Sequence, residues 1–419
     1  MTNLELINKL KLTKKSSLNL GLSSDKQRNQ ALEEMALALE KNKTKILKAN
    51  QADINILEPN NSMRDRLLLT NDRIQQTIND IKRVISLDDP LNKILEQREI
   101  STGLKLKKIT VPFGIIGIIY ESRPNVTVDV ISLCLKSGNA IVLKGGRDAS
   151  HSNEVLVKII KAAIKKAGLD ENLILNINPK FRNLVKHMLS AKNYIDLIIP
   201  RGGAGLINLV QKNSQIPVIE TGAGVCHTYI DESADIGMAV NIINNAKTSR
   251  PSVCNAMDTL IIHKKIAAKL LDSLIKKIAA SQVEIYGDIL SFNILKKLNY
   301  PYLYKASLAD FGREFLSLKM AIKIVSNINE AIEHIGKYST KHSEAIVTQD
   351  SQNAQKFLTT IDAACVYHNA STRFTDGSQF GLGSEIGIST QKLHTRGPMG
   401  IKELTTYKWI IKGQGHIRK

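Results

Sequence analysis

Residues 115–144 read IIGIIYESRPNVTVDVISLCLKSGNAIVLK, and this stretch decides the fold class. Two short, nearly continuous apolar runs, Ile115–Tyr120 and Ala140–Lys144, bracket a helical pattern over 126–136. Such runs suit strands of a parallel sheet covered on both faces, and parallel neighbours need a crossover about as long as a helix. Gly138 sits where the helix C-cap belongs. The alternation continues outward. Strands are expected at 173–177, 195–199 and 217–220, with helices at 153–166, 181–189 and 206–211, and Gly168 takes a second C-cap. The fold class is therefore α/β, a doubly wound domain whose ligand lies at the carboxyl ends of the strands.

Working towards the N-terminus, Glu96 to Thr110 carries a hairpin: Arg98-Glu99-Ile100 and Leu104-Lys105-Leu106 flank Ser101-Thr102-Gly103. Its mixed polar faces predict an arm reaching out of a domain. Residues 25–85 read as helices, with stripes at Leu32, Met35, Leu39 and at Ile74, Ile78, Ile81, Ile85, punctuated by Pro59 and Pro90. Towards the C-terminus a second alternating series predicts a smaller α/β domain. It has helices at 266–279 and 328–335 and strands at 321–325 and 344–347. A final strand at 404–411 is expected to be available to the hairpin arm of a partner.

At 419 residues with 43% hydrophobic content, the chain suits a two- or three-domain globular protein. The first 20 residues interleave lysine and asparagine with leucine, so no signal peptide is expected, and no apolar run approaches the ~18 residues of a membrane span. The 4 cysteines are scattered without a CxxC, which predicts neither zinc nor disulfides and fits a cytoplasmic location. A net charge of +19 raises nucleic-acid binding as the non-enzyme alternative. The lysines, however, are spread along helices (Lys158, Lys161, Lys165, Lys166) and aromatics make up only 5%, which favours solvated faces. A positive field still attracts phosphate-bearing small molecules.

Three places carry candidate chemistry. Residues 247–263, KTSRPSVCNAMDTLIIH, begin at the tail of an amphipathic helix (Ile236, Ala239, Val240, Ile243, Ala246) with Asp231 or Ser233 as its cap. Arg250-Pro251 ends that helix and a strand follows at 260–262, so Cys254 lies in a short constrained link. Lys247 and Arg250 would favour its thiolate, the helix C-terminus would oppose it, and an inert buried cysteine is the ordinary alternative. The other two places are turns after strands: Lys144-Gly145-Gly146, with Ser150 or Ser152 opening the next helix, and Arg201-Gly202-Gly203. Each joins a cation to glycines before a helix, an arrangement that suits phosphate, although neither is GxGxxG. Cys226-His227 lacks further spaced ligands and reads as structural, so no metal is expected.

Four blocks carry a resemblance: the stretch around Cys254, YESRPN at 120–125, NASTRFTDG at 369–377 followed by FGLGSEIGIST at 380–390, and HTRGPMG at 394–400. Together they make the whole chain similar to the gamma-glutamyl phosphate reductases of the aldehyde dehydrogenase superfamily. Thr395 is a departure, standing where that family is expected to have alanine. The resemblance implies an aldehyde-dehydrogenase-like fold. An atypical Rossmann NADPH-binding domain would span 1–95 and 111–224, a catalytic domain 225–402, and an oligomerisation hairpin and strand 96–110 and 403–419. It implies that Cys254 carries an acyl group and that Asn125 donates to the oxyanion. Cofactor contacts would come from Lys144, Gly145, Gly146, Arg147, Ser150 (with His151), Arg201, Gly202, Gly203, Glu314 and Phe315. Arg123, Glu220, Arg373, Phe374, His394 and Arg396 would line the substrate site, with Arg373 suited to a carboxylate. The implied reaction is NADPH-dependent reduction of L-glutamyl 5-phosphate to glutamate 5-semialdehyde through a cysteine thioester, in proline biosynthesis. Another phosphorylating or hydrolytic aldehyde dehydrogenase is the alternative. The implied partners are a small acyl phosphate, further copies of the chain in a homo-oligomer, and glutamate 5-kinase. Neither nucleic acid nor membrane is among them.

Overall fold

A computed structural model describes residues 2–58, 64–121, 123–181 and 183–418. Pro59, Ser122 of the YESRPN string and Arg182 of the expected helix at 181–189 lie outside the described residues. The chain forms two compact units. One comprises Met1–Thr221 with Gly381–Gly387 and Pro398–Lys419, the other Gly222–Phe380 with Ile388–Gly397.

In the first unit four parallel strands lie in the order Ile174–Asn176, Ala140–Lys144, Ile115–Tyr120, Leu197–Arg201. Their side chains are buried along nearly the whole length, as the apolar runs predict. The fourth strand starts two residues later than expected because the Ile195 N–H closes a turn on the Ala191 carbonyl. The expected strand at 217–220 is a correction. Only a single parallel bridge, Ile198 to Val218, forms. Pro217 has no N–H to donate, and beyond the bridge it is the Thr221 hydroxyl that binds the Pro200 carbonyl, at 2.7 Å.

The N-terminal helices Asn3–Leu22 and Asp25–Lys41 both start with capping boxes, Thr2 with Glu5 and Ser24 with Gln27. The predicted stripe residues Leu32, Met35, Leu39, Ile74, Ile78 and Ile81 enter the core. The hairpin forms as expected from Ile94–Glu99 and Lys105–Pro112, with Gly103 at φ +87° in its turn. The final strand, Thr405–Lys412, pairs antiparallel with Lys105–Pro112 of its own chain. The hairpin of the same chain thus takes one edge of this strand, which ends the three-stranded sheet. The strand's Tyr407 ring lies 3.7 Å from the Lys108 ammonium, a cation–π contact that favours the in-chain pairing.

The second unit is built on seven parallel strands. Their order is Leu303–Lys305, Glu284–Gly287, Lys319–Val325, Met257–His263, Cys226–Ile230, Ser343–Val347, Cys365–His368. Strand alternation sends Leu260 and Ile262 to one face, against Leu270 and Leu274, and Ile261 to the other, with Phe357 and Ile335. No helix among the described residues is long and apolar enough to cross a membrane.

Candidate active site

Cys254 lies half-buried in a turn between the helix Ile236–Thr248 and the strand Met257–His263. The helix is capped by Asp235, whose carboxylate accepts from the Met238 N–H at 2.6 Å, so neither Asp231 nor Ser233 has that role. The turn is held from three sides. Behind it, Gly224 approaches so closely that a Cβ there would sit 1.7 Å from the Cys254 carbonyl oxygen. The Cys226 thiol donates to the same oxygen at 3.2 Å. On its C-terminal side the Asn255 amide donates to the Thr375 carbonyl at 2.8 Å, while the Thr372 hydroxyl donates to the Asn255 carbonyl at 2.8 Å. Arg373 donates to the Asn255 side-chain oxygen, and its Nε reaches the Ser249 hydroxyl at 3.1 Å. The 371–375 segment thus clamps the turn, and the Arg373 guanidinium is engaged by protein. Phe374 next to it is half exposed.

Glu314 accepts the Gly224 N–H at 2.9 Å and so belongs to the same cluster. Phe315 is buried against Tyr286, with ring centroids 5.5 Å apart. Lys247 does not serve Cys254 as the sequence suggested. It is fully buried, donates to the Lys319 carbonyl at 2.7 Å and lies 3.7 Å from Asp258. Burial lowers the Lys247 ammonium pKa and raises the Asp258 carboxyl to about 6, with Lys247 opposing the latter shift. Arg396 pairs with Asp362 at 2.7 Å, so its charge goes to a surface carboxylate, while His394 lies exposed in the adjoining loop. His227 is structural as expected: its ring and backbone N–H both bind the buried Glu344, at 3.0 Å and 2.9 Å.

In the first unit the two glycine turns diverge. Beyond Lys144-Gly145-Gly146 lies a cavity of about 380 Å³ lined by Arg147, Ser150, Pro179 and Lys180. Lys144 is buried, with its ammonium 3.3 Å from the Gly145 carbonyl. Gly145 is needed for packing, because a Cβ would meet the Asn153 amide at 2.5 Å. His151 turns away from the cavity: its Nδ1 and backbone N–H both bind the buried Asp53 carboxylate, at 2.7 Å and 3.0 Å. The second turn is filled. Glu121 accepts the Gly203 N–H at 2.9 Å, and a Cβ on Gly202 would meet that carboxylate at 2.5 Å. Arg201 donates to the carbonyls of Glu385 and Ile386, anchoring the returning 381–387 segment.

Asn125 donates its amide to Asp129 at 3.1 Å, within its own helix Pro124–Lys136, and borders a small apolar cavity with Leu39 and Ile74. Burial pushes the Asp129 carboxyl up to about 7, opposed by Arg201 and by this amide. The amide expected to donate to the oxyanion thus has one of its two N–H groups on a carboxylate. Arg123 is the residue before that helix, and Glu220 lies half-buried next to Thr221. Among the described residues no group of three His, Cys, Asp or Glu could hold a metal ion.

The model of the aldehyde dehydrogenase family matches residues 11–288. A gamma-glutamyl phosphate reductase of Legionella pneumophila is 48% identical over 99% of this chain and 100% of that protein. One of Chlorobium limicola is 50% identical over 98% of each. The chain belongs to the gamma-glutamyl phosphate reductases of the aldehyde dehydrogenase family. The crystal structure of a gamma-glutamyl phosphate reductase from Thermotoga maritima superposes with a TM-score of 0.93 at 44% identity, covering 99% of this chain and 100% of that one. An acetylating aldehyde dehydrogenase from Geobacillus thermoglucosidasius, 19% identical, shares the fold with a TM-score of 0.73, covering 100% of this chain and 98% of that one.

For a reductase of this family, the sequence reading lacked the residues that shape the site from a distance. Gly224 and Cys226 had no visible partner until the sheet set them behind Cys254. Lys180, a few residues after the strand Ile174–Asn176, edges the same cavity as Arg147.

Proposed function

We propose that this reductase converts L-glutamyl 5-phosphate to L-glutamate 5-semialdehyde with release of phosphate, in proline biosynthesis, and that it uses NADPH. The observation that carries the reading is Cys254, presented in a rigid turn of a chain 48% identical to a gamma-glutamyl phosphate reductase over that protein's whole length. The Cys254 thiolate attacks the acyl carbon, the C–O bond to phosphate breaks, and a thioester remains on the sulfur. After hydride addition to the thioester carbonyl, the tetrahedral oxyanion re-forms the carbonyl, the C–S bond breaks, and aldehyde and thiolate are released. Backbone N–H groups of the clamped Cys254 turn stabilise the oxyanion at both stages, since a donor fixed beforehand needs no reorganisation.

The cavity bordered by Arg147, Ser150 and Lys180 fits a ribose 2′-phosphate, with two cations and a hydroxyl at the carboxyl ends of parallel strands. This supports NADPH over NADH. When bound, the dinucleotide supplies the hydride. Lys144 and Gly146 belong to the turn that leads to this cavity, which supports their roles in holding it. Glu220 is assigned no hydrolytic role, because a water-activating base would waste the thioester. Copies of the chain associate through the three-stranded arm, where Ile94, Leu95, Tyr407 and Ile411 are exposed, and the enzyme works in the cytoplasm.

The test runs the reaction backwards, since the acyl phosphate is labile. With glutamate semialdehyde, phosphate and NADP, the wild type is expected to form NADPH and Cys254→Ala to form none. NADPH formation that ignores phosphate would instead indicate a hydrolytic aldehyde dehydrogenase.

A further inference from the structure

Cys226 takes no part in the chemistry above, yet its thiol meets the back of the turn that carries Cys254. The Cys226 S–H donates to the Cys254 carbonyl at 3.2 Å, and its sulfur lies 3.7 Å from His342 Nδ1. His342 Nδ1 is 2.8 Å from the Ser343 hydroxyl, which is 2.7 Å from the Thr375 hydroxyl, which is 2.7 Å from the Tyr367 hydroxyl. Thr375 then closes a ring, because its backbone carbonyl accepts the Asn255 amide at 2.8 Å. The Cys254 carbonyl and the neighbouring Asn255 side chain are therefore held by a single buried network. Cys226, His342, Ser343 and Thr375 are all buried.

The groups facing this network keep it neutral. Burial, with Glu344 and Asp258 adding to it, holds the Cys226 thiol well above its ordinary range, so it stays an S–H donor. Burial brings His342 down to about 4, so it stays an uncharged imidazole. A neutral imidazole next to a thiol does not extract its proton, which sets Cys226 apart from an activated nucleophile.

We propose that Cys226 is a positioning residue for the reaction: its thiol, braced by His342, Ser343 and Thr375, pins the Cys254 carbonyl inward. In a planar trans peptide this also fixes the Asn255 N–H in the opposite direction. Gly224 leaves room for the arrangement, since any side chain there would displace the same carbonyl. The thiol itself forms no covalent bond. The inference rests on the reading of Cys254 as the nucleophile.

The experiment measures kcat and KM in the reverse reaction, and the rate at which iodoacetamide alkylates Cys254, for wild type, Cys226→Ala, Cys226→Ser and Cys254→Ala. Cys226→Ala is expected to lower kcat about 10-fold with KM for the semialdehyde within about 2-fold, and to slow Cys254 alkylation in parallel. Cys226→Ser restores a donor and should recover kcat to within about 3-fold of wild type. Wild-type kcat in Cys226→Ala, or a serine variant no better than the alanine one at equal melting temperature, would overturn the proposal. If Cys226→Ala does not fold, Ser343→Ala breaks the brace one step away and should lower kcat about 3-fold at unchanged KM. Unchanged kcat there would overturn it as well. Turnover surviving in Cys254→Ala would instead overturn the nucleophile reading, whatever the Cys226 variants do.

Discussion

The turn around Cys254 and the turn after the strand Ala140–Lys144 both follow or precede parallel strands, and both carry small residues and cations nearby. They differ in what satisfies their polar groups. Around Cys254 the protein fills them itself: Gly224, Cys226, Thr372, Arg373 and Thr375 all bear on two consecutive residues. After Lys144 the chain leaves a cavity of about 380 Å³ edged by Arg147, Ser150 and Lys180. One region is preorganised and closed, as suits a reacting atom, and the other is open and cationic, as suits a phosphate ligand. The turn at Arg201–Gly203 resembles the open one in sequence but belongs with the closed one, because Glu121 and the 381–387 segment occupy it.

The strongest way to break this comparison is Gly224→Ala. A Cβ at 1.7 Å from the Cys254 carbonyl must displace the turn, so activity should fall about 100-fold or more, with a stability loss of about 3 kcal/mol by denaturant unfolding. The open region responds differently. Arg147→Ala combined with Lys180→Ala should raise KM for NADP about 10- to 100-fold while leaving melting temperature and KM for NAD nearly unchanged. Equal effects on both cofactors would remove the 2′-phosphate assignment.

Arg201→Ala sharpens the placement of the second glycine turn. It should cost about 2 kcal/mol of stability through the uncapped carbonyls of Glu385 and Ile386 and change KM for NADP less than about 3-fold. A large KM change with full stability would return that turn to the open class. A further prediction concerns pH, where the effect on activity-independent stability builds up gradually. His342 has its folded pKa lowered to about 4 from an ordinary value near 6.5, so its contribution is present above 6.5 and is lost as pH falls towards 4. Between those values stability should decline by up to about 1.4 kcal/mol per pH unit, and His342→Gln should flatten the slope measured by chemical unfolding.

The parallel sheets were legible because burial on both faces leaves a local trace: 115–120 and 140–144 are nearly continuous apolar runs and were bounded correctly. The strand expected at 217–220 shows the limit of that trace, since an apolar run next to Pro217 pairs only once. Cys226–Ile230 carries a cysteine and a histidine and reads as polar, although the Cys254 carbonyl and Glu344 bind those two side chains from distant parts of the chain. The position of Cys254 between helix and strand was readable from Arg250-Pro251. Its environment was not, because groups from residues 224–226 and 371–375, distant in the chain, hold the turn. The partners of the cations were unreadable for the same reason: Lys247, Arg201 and Arg396 reach Asp258, backbone carbonyls and Asp362.

The measurement that bears most directly on the central claim, covalent catalysis at Cys254, is a burst experiment. Enzyme, glutamate semialdehyde and NADP are mixed without phosphate and NADPH is followed. One NADPH should form per Cys254 and the reaction should then stall, with the acyl group held on the sulfur until added phosphate releases it and turnover resumes. Cys254→Ala should give no burst. Steady NADPH formation without phosphate, or a burst that survives in Cys254→Ala, would contradict the account.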